Sequence, residues 1–127
     1  MASFLLAAFM AACLSMNDAP TTIDILPAHA TAYCIKGITK SGEYTREGIC
    51  AGKEEWLGKK IFVYQKLPDG NVGKLIGEYD CLDTGGTPGL NNGSVVDIWR
   101  PDLEECQEFM NLVYEDNCNG EVYIIVK

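Results

Sequence analysis

An Asp69-Gly70 pair stands between two apolar, β-rich runs, "KKIFVYQK" before it and "KLIGEYDCLD" after it. Asp-Gly flanked by such runs is a strong short-range signal for a β-hairpin, because both residues accept the positive φ that a tight turn needs. The chain is therefore committed to an antiparallel pair near its middle. The return run is long enough to bend at Gly77. Around this pair the rest of the chain reads as further short strands. "TAYCIKG" (31–37) is a strand, "TKSGEYTREG" (39–48) a glycine-punctuated loop, and "ICAGKEEWLG" a strand start followed by a turn. Thirteen glycines and five prolines fit a fold with many tight turns.

"VVDIW" (95–99) is a continuous apolar run, expected to be buried on both faces. One helix is clear in "RPDLEECQEFMNLV". Pro101 suits a first helical turn, and Asp102, Glu104 and Glu105 complement the helix dipole. Leu103, Cys106, Met110 and Val113 recur at helical spacing and should form the apolar face. The acidic residues 102, 104, 105 and 108 read as a solvated start and face. "EVYIIVK" is a last buried strand. The fold class is mainly β, a small barrel or sandwich with one helix covering an opening.

The first 15 residues, "MASFLLAAFMAACLS", are apolar and uncharged. They are shorter than the ~20 residues a membrane-spanning helix requires and suit the core of a secretory signal. "MAAC" also has the form of a lipoprotein cleavage box, which would make Cys13 a lipid acceptor. Residues 16–30 read as a linker, with His29 solvated in it, and residues 31–127 as one domain. Secretion or attachment to the cell envelope is the expected localisation.

Six cysteines are many for a cytosolic chain of 127 residues, which agrees with export. Cys34, Cys50, Cys81, Cys106 and Cys118 show neither a CxxC pair nor a zinc spacing, so no metal or other cofactor is expected. A nucleophilic cysteine would need a histidine base, and His29 is the one histidine. The net charge of -8 argues against nucleic acid as a partner.

Chemistry is concentrated in "YDCLDTGGTPGLNNGSVVDIW" (79–99), where two apolar runs each carry one aspartate, Asp83 and Asp97, to a glycine-rich loop. Asp83 in "DTGG" can be read as a turn residue bonding its own backbone. Asp97, between Val96 and Ile98, is costly in a strand unless it is paired. Trp56 and Trp99 can be read as core residues or as platforms for sugar rings.

"TAYC", "WLGKKIFVY", "DTGG" and "VVDIW", followed by a helix and a strand, together resemble the 3D, or three-aspartate, domain. This is a double-psi β-barrel of bacterial cell-wall lytic proteins, including membrane-bound lytic transglycosylase A. The resemblance spans roughly residues 31–127 and implies a six- to seven-stranded double-psi β-barrel with one covering α-helix. Asp83 and Asp97 match two of the three aspartates. The position of the first, counted back from the turn at Trp56-Leu57-Gly58, is Ala51.

The resemblance implies a lytic transglycosylase acting on peptidoglycan glycan strands, with a 1,6-anhydro product and no cofactor, most simply as a monomer. Asp97 would be the general acid/base, with Asp83 hydrogen-bonded to it or stabilising the transition state. Tyr33, Thr84, Gly85 and Gly86 would contact the sugar. A non-catalytic glycan- or protein-binding barrel is the rival, motivated by Ala51. "LDTGG" also fits the signature of aspartic proteases, but those need two such lobes, and the remaining motifs follow the lytic barrel.

Overall fold

The computed structural model describes residues 24–115 and 118–127. The apolar segment 1–15, Cys13 and most of the expected linker lie outside the described residues. Six strands form the wall: β1 (Leu26–Tyr33), β2 (Ile49–Ala51), β3 (Lys60–Lys66), β4 (Val72–Asp83), β5 (Val95–Trp99) and β6 (Glu121–Val126). Their order around the wall is β1-β5-β2-β4-β3-β6, closing back on β1. The β1–β5 and β2–β4 pairs are parallel and the other four antiparallel. The protein is mainly β, a closed six-stranded mixed barrel.

Alternation of side chains along each strand fills the interior. Ala28 and Ala30 of β1, Cys50 of β2, Ile61 and Val63 of β3, Cys81 of β4, Val96 and Ile98 of β5, and Val122 and Ile124 of β6 form one buried cluster. The helix α2 (Leu103–Val113) adds Phe109 and Val113 to that cluster and so covers one opening of the barrel. Burying this apolar surface is the main favourable term, at ~25 cal/mol per Å².

The expected hairpin joins β3 to β4. Leu67 N donates to Asn71 O at 2.8 Å, and Asn71 N to Asp69 Oδ1 at 3.0 Å. Gly70 takes φ +89°, which a side chain would resist. The bend expected at Gly77 is a bulge: Val63 pairs with Gly77 but Tyr64 with Leu75, leaving Ile76 extra.

Four local readings change. The strand expected from Thr31 begins at Leu26, and His29 within it partners Val95 and Glu121 rather than lying in a linker. Pairing of Leu26–His29 with β6, and of the chain from His29 onward with β5, orders this stretch despite its proline. Asp102 is the N-cap of α2, accepting from Glu105 N at 2.9 Å, so Pro101 precedes the helix instead of starting it. Leu103 is 77% exposed, and Phe109 takes its place on the apolar face. On β5 burial alternates: Val96 and Ile98 face the core, whereas Val95 and Asp97 are half-buried on the other side.

Candidate functional site

Because Ala28 and Ala30 face inward, the alternation of β1 turns Thr31 and Tyr33 away from the core. Thr31 and Tyr33 share the outer face, and Asp97 joins them there, opposite Val96 and Ile98. On β2 the inward residue is Cys50, which leaves Ala51 outside as well. Asp83 reaches this face through an irregularity. Cys50 pairs with Cys81 but Ala51 with Asp83, so Leu82 is an extra residue on β4 and reverses the alternation. Without that bulge Asp83 would follow Cys81 toward the interior.

Ala51 is in register with both carboxylates, with Asp83 across the parallel β2–β4 pair and Asp97 across the antiparallel β2–β5 pair. It is thus seated between them. Ala51, Asp83, Asp97, Tyr33, Thr84 and Gly85 line one groove of about 210 Å³, whose remaining wall is formed largely by Ile35, Ile38 and Leu90.

The two aspartates are held separately. Thr31 Oγ1 donates to Asp97 Oδ1 at 2.8 Å. Asp83 Oδ1 accepts from the backbone N–H groups of Thr84 and Lys40, both at 3.0 Å, and Tyr33 Oη donates to Asp83 Oδ2 at 3.4 Å. Of the two relationships expected, a hydrogen bond between the aspartates or a separate role for Asp83, the direct bond is not formed, and these partners take its place. The physical reason is the register: β2 lies between the two strands, separating their backbones by about 9.5 Å, or two strand spacings.

Burial pushes the Asp97 carboxyl above its usual pKa, and the negative charge of Asp83 adds to the rise, while the Thr31 hydrogen bond opposes it. Burial, followed by the charges of Asp83 and Asp97, also raises the Tyr33 phenol, which therefore keeps its proton and serves as a donor. The site holds an acid that retains its proton more readily than an ordinary aspartate, next to a carboxylate supplied with donors on both oxygens.

The loop after β1 folds back as a strap. Thr39 N donates to Glu43 O at 2.8 Å and Thr45 N to Gly37 O at 2.9 Å. Ser41 N bonds Leu82 O at 3.0 Å, which fixes the strap onto the end of β4 and brings Lys40 N to Asp83. Across the groove, "PGLNN" forms a short helix, α1 (Pro88–Asn92), where the sequence reads as a loop. Thr87 caps it by accepting from Leu90 N at 3.4 Å.

Of the expected sugar contacts, Tyr33, Thr84 and Gly85 line the groove and Gly86 does not. An added Cβ at Gly85 would overlap Leu90 Cδ1 and force that side chain to shift, whereas one at Gly86 would meet nothing within 4 Å. Neither tryptophan lines this groove. Trp99 is buried with Ile49 and Leu82 and donates Nε1–H to Ile35 O at 2.9 Å. Trp56 packs against the barrel core and sits close to Gly93. Sequence reasoning missed Thr31, although its two-residue spacing from Tyr33 places both on one face of a strand. It also missed the Lys40 N–H, which no side-chain pattern reveals.

Among the described residues, no group of three His, Cys, Asp or Glu side chains is arranged to hold a metal ion. None of the described helices is long and apolar enough to cross a membrane. Compared with known proteins, the chain matches no family model, no curated protein and no solved structure.

Proposed function

We propose that the chain is a peptidoglycan lytic transglycosylase-like enzyme of the three-aspartate family, acting outside the cytoplasm as a monomer. The closed six-stranded mixed barrel is compatible with the double-psi arrangement of that family. The observation that carries the proposal is the register of Ala51. Three positions matched by motif alone, 51, 83 and 97, lie side by side on three adjacent strands and open into one groove.

In this reading Asp97, whose proton is retained by burial and by the charge of Asp83, protonates the glycosidic oxygen between N-acetylmuramic acid and N-acetylglucosamine. As a carboxylate it then takes the proton of the sugar's 6-hydroxyl, which closes the 1,6-anhydro ring on the anomeric carbon. One carboxyl serves both steps because they are sequential. Asp83 stabilises the positive charge that develops on the ring, oriented by Tyr33 and by the N–H groups of Lys40 and Thr84.

A second reading, a non-catalytic glycan- or protein-binding barrel, is favoured by Ala51, where the family carries a carboxylate. Incubation with purified peptidoglycan and mass analysis of the soluble products separates the two. Muropeptides ending in 1,6-anhydro-N-acetylmuramic acid, one water lighter than hydrolysis products, support the transglycosylase. Products that retain the water reject it and favour a hydrolase, with Asp83 as nucleophile at carboxyl separations of ~5–5.5 Å or as base at ~6.5–9.5 Å. Retained binding to sacculi with no soluble product establishes the binding module.

A further inference from the structure

The sulfur atoms of the described residues fall into three settings. Cys50 and Cys81 are register partners on β2 and β4 and are fully buried inside the barrel. Cys118 donates its Sγ–H to Lys66 O at 2.8 Å. Cys34 and Cys106 differ from both, because they lie at the rim and on separate elements.

Cys34 directly follows β1 and is half-buried, while Cys106 is buried one turn into α2. The chain on both sides of Cys34 is tied to the residues that lead into α2. Arg100 N donates to Tyr33 O at 2.8 Å, and Lys36 Nζ donates to Pro101 O at 2.9 Å. The helix itself packs against β1. After burial, the neighbouring Cys34 sulfur does most to raise the Cys106 thiol. The two cysteines thus flank one junction, where hydrogen bonds fix the end of β1 to the residues leading into α2.

We infer that Cys34 and Cys106 form a disulfide that staples the first turns of α2 to the end of β1. The oxidant is a low-molecular-weight disulfide. The Cys34 thiolate, the more accessible of the two, attacks it and releases one thiol, leaving a mixed disulfide on Cys34. Cys106 then attacks the Cys34 sulfur and expels the second thiol. Two electrons pass from the cysteines to the oxidant, and the two cysteine protons end on the two thiols released. Cys50 and Cys81 stay reduced because no external disulfide reaches them in the closed barrel. The link closes a loop of about 70 residues, a length at which restriction of the unfolded chain is a substantial stabilising effect.

The test uses the full chain, folded and equilibrated with glutathione disulfide, then unfolded in an alkylating agent, digested and mapped by mass. The expected result is a Cys34–Cys106 linked peptide, with Cys50, Cys81 and Cys118 alkylated. The oxidised protein should melt several degrees above the reduced one, and Cys34→Ser should abolish that difference while folding normally. Cys34 recovered as an alkylated or glutathione-bound residue, or joined to a residue other than Cys106, overturns the inference. Equal melting midpoints of oxidised and reduced protein would overturn the stapling role.

Discussion

Thr31 and Asp97 are register partners on parallel strands, and the Thr31 hydroxyl donates to Asp97 Oδ1 at 2.8 Å. This hydrogen bond favours the ionised carboxyl and so opposes the upward push of burial. Removing it with the nearly isosteric Thr31→Val should raise the Asp97 pKa further. If Asp97 is the acid, it then stays protonated to higher pH. The basic limb of the pH profile for muropeptide release should move upward, and an unmoved limb would separate Thr31 from the acid.

Asp97→Asn should remove activity while stabilising the fold at neutral pH. The folded-state pKa of Asp97 is raised, so the unfolded chain ionises first as pH climbs. Stability is therefore lost between the ordinary carboxylate range and the folded value, and that loss persists above it. Asparagine cannot ionise and still accepts from Thr31. Thermal melts should place the variant above the native protein at pH 7, with the two converging as pH falls below about 4. A lower midpoint at pH 7 would contradict this account.

Ala51→Asp places a third carboxylate between two existing ones. Ala51 is 4% exposed, so the new group is both buried and beside like charges. A cost of about 2 kcal/mol at pH 7 is expected, shrinking in acid as the carboxyls protonate. The same substitution should raise the pKa of Asp97 and shift optimal activity to higher pH. Denaturant titrations at pH 4 and pH 7, with product release followed in parallel, measure both effects.

The two glycines of "DTGG" should respond differently to substitution. Gly85→Ala drives a methyl into buried Leu90 and should cost about 1–2 kcal/mol, with loss of activity as the α1 wall of the groove shifts. Gly86→Ala meets open space and should stay within about 0.5 kcal/mol of the native protein. Equal costs at both positions would show that the loop, rather than the Leu90 contact, sets the requirement.

The hairpin at Asp69-Gly70, helix α2 and the strands bearing Asp83 and Asp97 were legible in the sequence because each is encoded locally, by turn chemistry or by period. Most of the features that escaped depend on partners distant in the chain. Leu26–Ala30 is a strand because β6 pairs with its first residues and β5 with its last, a tertiary effect that outweighs Pro27. The five residues of α1 carry proline, glycine and two asparagines, a turn composition, and are held as a helix by the Thr87 cap and by burial of Leu90. The juxtaposition of Asp83 and Asp97 could be anticipated by motif, but their separation could not. It follows from the insertion of β2 and from the bulge at Leu82, neither of which leaves a local signature.

The closed barrel order also dictates a timetable. The first strand, β1, is paired by β5 and β6 alone, and β3 likewise needs β6 on its second side. Local pairing can assemble the β3–β4 hairpin early, yet β1 must wait until residues 95–99 and 121–126 have left the ribosome. Pairing across so much intervening chain is slow, because the entropy of closing those loops is lost before the contacts form. A chain arrested before residue 121 would expose β1 and β3 as two unpaired apolar edges, open to the same strands of its neighbours.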